Sequence, residues 1–113
     1  YNSDQTTMFN AIIDVARKIM DNGSYAFDLL VPSGTAIQNG RTSSLGDTFN
    51  RDGYHLEVTY GRYTAACTWF ETISGISAED AAWAPSTVNA EKAAIARTAA
   101  HNAVSSPYAV TIF

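Results

Sequence analysis

The sequence predicts an α/β protein, mostly helical, that reads like the last third of an open α/β domain. Three observations carry this expectation. An amphipathic pattern opens the chain, a short and nearly continuous apolar run follows between Gly23 and Pro32, and helical periodicity then returns over most of the remaining residues. Such a run suits a strand buried on both faces of a parallel sheet, because helices cover both sides of that kind of sheet. One buried strand needs neighbours, so the expected fold is part of a larger sheet rather than a sheet complete in itself.

In the stretch 4–22, Phe9, Ile12, Ile13, Ala16, Ile19 and Met20 recur at helical steps, with Asp14, Arg17, Lys18 and Asp21 between them. This is the stripe of a half-buried helix. Ser3 is its expected N-cap, and Asn22-Gly23 offers residues tolerant of positive φ where it stops. Residues 25–31 (Tyr-Ala-Phe-Asp-Leu-Leu-Val) form the expected buried strand. After Pro32-Ser33-Gly34, residues 35–41 are expected to make a short helix with Ala36 and Ile37 inward, and 42–49 a loop.

Thr59 stands where it can cap a helix whose apolar positions Tyr60, Tyr63, Cys67, Phe70 and Ile73 keep helical spacing up to Gly75. Residues 77–88, with Trp83 and Pro85, read as a surface loop. Asn89 then caps an alanine-rich helix reaching Val104, in which Ala93, Ala96, Ala99, Ala100 and Ala103 permit close approach to a neighbour. The closing Tyr-Ala-Val-Thr-Ile-Phe is an edge strand or an ordered tail.

A length of 113 residues suits a single unit spanning 1–113, and 46% hydrophobic with 16% charged residues argues for a folded chain. A net charge of −4, with seven Lys and Arg in no cluster, gives no footprint for nucleic acid or for an anionic membrane surface. No run of 18 apolar residues suggests a membrane span. Cys67 has no partner for an internal disulfide and falls on an apolar helix stripe, which reads as packing rather than as a reactive thiol. Two histidines far apart leave no metal-ligand spacing, so neither a metal nor another cofactor is expected. A start at Tyr1, with no leader pattern, suggests a piece of a longer protein whose location this stretch does not reveal.

Chemistry concentrates in Asp52-Gly53-Tyr54-His55, where a carboxylate and an imidazole stand three residues apart across a glycine. In a tight turn the Asp52 carboxylate reaches the near ring nitrogen of His55, fixes its tautomer and leaves the far nitrogen as a general base. The competing interpretation is a turn with no chemistry, since Asp-Gly is a common turn pair.

The stretch Leu30-Val31-Pro32-Ser33-Gly34-Thr35-Ala36-Ile37-Gln38-Asn39 through Asp52-Gly53-Tyr54-His55-Leu56, with Gly61-Arg62-Tyr63, resembles the C-terminal portion of the SGNH (GDSL-type) hydrolases, in a bacterial, uncharacterised branch. The resemblance implies a flavodoxin-like three-layer α/β fold, with Asp52 and His55 as two members of a catalytic triad. It further implies a small acyl or carbohydrate ester as substrate and an exported or periplasmic parent protein. The nucleophile and oxyanion blocks of that family are missing, and Gly46-Asp47-Thr48 lies in the wrong part of the fold to replace them. The chain alone is therefore expected to be inactive.

Arg41 and Arg51 flank the loop before the pair; each is a candidate substrate-binding residue or an ion-pair partner for groups such as Asp47. His101 reads as a helix residue favoured by the helix dipole, and Trp83 as a loop anchor with some binding potential. A non-catalytic helical interaction or carbohydrate-binding module is the alternative function. Self-association through an exposed sheet edge or helix faces is expected of a fragment that lacks its sheet neighbours.

Overall fold

The computed structural model describes residues 1–113 and contains four α-helices: α1 (Gln5–Asp21), α2 (Ser33–Arg41), α3 (Tyr60–Ser74) and α4 (Ala90–Ser105), with a single 3₁₀ turn at Ala78–Asp80. There is no sheet. The one β-type pairing is an isolated antiparallel bridge between Asn50 and Leu56. This overturns the expected α/β class and its flavodoxin-like layering. Residues 25–31 do not form a buried strand: no ladder partner exists, and Tyr25, Phe27 and Leu29 are each more than half exposed. The tail 108–113 is also not a strand, for its backbone is held by side chains. The Asn39 carboxamide oxygen accepts from the Thr111 N–H at 2.8 Å, and the Thr42 hydroxyl accepts from the Phe113 N–H at 3.1 Å.

The chain divides into two compact units, Tyr1–Leu30 and Val31–Phe113. In the first, Asp4 rather than Ser3 caps α1, its carboxylate accepting from the Thr7 N–H. Ser3 instead takes a positive φ, a non-helical conformation that puts it outside the cap. At the other end the Asn22 side chain accepts from the Ser24 N–H at 3.0 Å, which turns the chain out of the helix.

The second unit is built on α3 and α4, its most extensively packed pair, with α2 laid against both. Its core joins Ile37, Phe49, Tyr60, Tyr63, Cys67, Ala78 and Val88 to the alanine face of α4 at Ala93, Ala96 and Ala100. Asn89 caps α4 as its position suggests, accepting from the Lys92 N–H at 2.9 Å. Small alanines on α4 permit close packing, and on α3 Thr64 and Thr68 are both fully buried. Their hydroxyls donate to the carbonyls of Tyr60 and Thr64, so neither buried polar group goes unpaired. The expected apolar stripe is buried only in part: Tyr60, Tyr63 and Cys67 are buried, but Phe70 and Ile73 are exposed.

Candidate functional site

The Asp52–His55 turn rests on a loop closed at its base. Phe49 is fully buried beneath it, stacked edge-on against Tyr60 with ring centroids 5.2 Å apart, and fits against the backbone of Gly40. From this anchor the two arms run antiparallel. The Glu57 N–H donates to the Phe49 carbonyl at 2.7 Å and the Arg51 N–H to the His55 carbonyl at 3.0 Å. Tyr60 adds a brace, its hydroxyl donating to the Thr48 carbonyl at 3.0 Å.

At the tip, one oxygen of Asp52 accepts from the backbone N–H groups of Tyr54 (3.0 Å) and His55 (2.8 Å). Gly53 makes this turn accessible by taking φ +82°, where a side chain would be strained. The other Asp52 oxygen lies 2.9 Å from His55 Nδ1, so the ionised carboxylate selects the tautomer with hydrogen on Nδ1. Nε2 then carries the lone pair, and no group of the chain hydrogen-bonds to it. The His55 N–H, then its imidazole, then the Tyr54 N–H hold the Asp52 carboxyl well below the usual carboxylate range. The pair is open to solvent, with 63% of the His55 side chain and 45% of the Asp52 side chain exposed.

Glu57 is a supporting residue that the sequence did not signal. Its carboxylate accepts from the N–H of Thr59 at 2.9 Å and of Gly61 at 3.1 Å, so it, and not the Thr59 side chain, caps α3. Partial burial opposes its ionisation, but the Gly61 N–H and the Thr59 hydroxyl and N–H outweigh that and lower its pKa. The same residue thereby closes the loop through its backbone and fastens it to α3 through its side chain.

Of the two flanking arginines, Arg41 is paired with Asp47 at 2.7 Å, and Arg51 places Nε 3.5 Å from an Asp52 oxygen. Arg41 thus ties down the loop that follows α2, while Arg51 stands beside the pair. Trp83 is largely exposed, packs edge-on against Tyr63, and borders a shallow apolar cleft of about 270 Å³ that also meets Cys67 and Phe70. Cys67 is buried on that stripe, and desolvation pushes its thiol pKa up.

A second imidazole–carboxylate contact went unread in the sequence. His101 Nδ1 lies 2.9 Å from Glu71 and 3.2 Å from the Ser77 hydroxyl, and the other Glu71 oxygen accepts from the Ala78 N–H at 2.7 Å. Serine and carboxylate meet the same ring nitrogen, whereas a proton relay needs them on opposite nitrogens. The cluster is a partly buried strut joining α3, the 3₁₀ turn and α4. No group of three or more His, Cys, Asp or Glu side chains is arranged to hold a metal ion, and no helix is long and apolar enough to cross a membrane.

Fold and site together define a helical domain that presents a carboxylate-oriented imidazole on a closed loop. The chain belongs to the family described as Domain of unknown function (DUF4886), which it matches over residues 1–103. A solved DUF4886 family protein from Bacteroides uniformis is similar to it at 43% identity and a TM-score of 0.93, over 98% of this chain and 42% of that one. The chain therefore spans less than half of that relative's length. A search of curated proteins finds no match. The resemblance to SGNH hydrolases is not upheld, since the family matched is DUF4886 and no SGNH or GDSL family matches. With it goes the support that resemblance lent to a hydrolase, because the family description carries no activity.

Proposed function

We propose that this chain contributes the acid–base half of an ester hydrolase whose nucleophile and oxyanion donors come from outside residues 1–113. The observation that carries this reading is the 2.9 Å contact between the Asp52 carboxylate and His55 Nδ1, with Nε2 open to solvent. In the reaction a nucleophilic hydroxyl attacks the ester carbonyl and passes its proton to Nε2 of His55. The tetrahedral intermediate collapses, and the departing alcohol takes that proton from Nε2. Water then repeats both transfers, releasing the acid and restoring the hydroxyl. Asp52 orients the ring and stabilises the imidazolium formed at each stage. Small acyl or carbohydrate esters are the substrates this chemistry suits.

The second reading, a non-catalytic module, draws on the paired N–H contacts of Asp52, which close the turn whether or not a proton is ever moved. Hydrolysis of an activated acetyl ester separates the two. Residues 1–113 alone are expected to give no turnover, and a full-length DUF4886 protein containing this sequence is expected to be active. In that protein His55→Ala should lower the rate by roughly 10²- to 10⁴-fold. A full-length rate that is absent, or unchanged by His55→Ala, overturns the catalytic reading in favour of the module. Turnover by the short chain that His55→Ala abolishes overturns the external nucleophile.

A further inference from the structure

In the unit Tyr1–Leu30, Phe9 is the single buried hydrophobic residue. On α1, Met8, Ile12 and Val15 are exposed and, with Ile19, fall on one helical stripe. A shallow groove of about 340 Å³ runs along that stripe, lined by Tyr1, Ala11, Ile12, Val15, Ala16 and Ile19. After α1, Tyr25, Phe27 and Leu29 are also exposed, and the rings of Tyr25 and Phe27 lie 6.3 Å apart, as alternate residues do on one side of an extended backbone. The N–H groups of residues 26–30 make no hydrogen bond within the chain. Apolar alternation beside an unpaired backbone is a template for another extended segment.

Exposed apolar surface on this scale marks an interaction site. The relative's size indicates the occupant: its likeness covers 98% of this chain, yet more than half of that protein lies outside the match. We infer that the exposed faces of Tyr1–Leu30 dock the additional region that the longer DUF4886 protein carries. An extended segment of that region pairs along residues 26–30, and its apolar side chains cover Tyr25, Phe27, Leu29 and the α1 stripe. The inference involves neither Asp52 nor His55, so it stands or falls apart from the catalytic reading.

Hydrogen exchange tests it on two proteins, the 113-residue chain and a full-length DUF4886 protein containing the same sequence. The amides of residues 26–30 are expected to exchange freely in the short chain and at least about 100-fold more slowly in the long one, the protection that ladder pairing gives. Phe27→Asp should abolish that protection in the long chain while leaving the melting temperature of the short chain unchanged. Equal exchange in the two proteins overturns the inference. So does protection of 26–30 in the short chain alone when it sediments as a dimer, since a second copy would then be the occupant.

Discussion

Asp52 serves two purposes with one carboxylate: one oxygen builds the turn and the other orients the ring. An asparagine can replace the first function and not the second. Asp52→Asn is therefore expected to preserve the loop but to turn the His55 ring from a single Nδ1–H tautomer into a mixture, seen in the ring ¹⁵N shifts at neutral pH. An unchanged tautomer would show that Asp52 does not set it. The pH dependence follows from the lowered pKa of Asp52. A carboxyl depressed on folding stabilises the native turn fully above its ordinary value of 3.8, and that contribution is lost as the pH falls toward the lowered value. The exchange protection of the Tyr54 and His55 amides should accordingly hold through neutral pH and fail in acid. This part of the site was legible in the sequence because it is local: three residues and a glycine suffice to bring the two groups together. His101 was not, because Glu71 and Ser77 reach it only through the packing of α3 on α4.

Among the elements, the junction of α2 with the loop base has the least tolerance. A Cβ added to Gly40 would stand 2.6 Å from Cε1 of the fully buried Phe49 ring, which has nowhere to move. Gly40→Ala is expected to destabilise the fold by about 1–3 kcal/mol, as overpacking typically does. Urea unfolding would measure it, and Phe49→Leu in the same background should recover part of the loss. No recovery would mean that the ring is not what resists the added methyl. At this scale the sequence predicted all four helices, and the inward stripe of α3 in part, at Tyr60, Tyr63 and Cys67. Helical spacing marked Phe70 and Ile73 as inward, but the buried positions of that helix are Tyr60, Tyr63, Thr64, Cys67 and Thr68.

For the molecule as a whole, every residue of the hydrophobic core cluster lies within Val31–Phe113. A chain shortened to residues 31–113 should therefore keep its helical circular dichroism and a single cooperative unfolding transition. A broad, non-cooperative transition would show that Tyr1–Leu30 is part of the folding unit. The apolar run at 25–31 has a composition that suits a strand, yet a strand exists only where another backbone receives its hydrogen bonds.

Helix positions, the Asn89 cap and the Asp52–His55 pairing were written in the amino-acid order, since each depends on groups within a few residues of one another. The absence of a sheet, the anchoring of the tail by Asn39 and the strut from Glu71 to His101 were settled only by the folded chain. Those contacts join groups that become neighbours through packing, and packing depends on how closely two surfaces can approach, a quantity that no single segment contains.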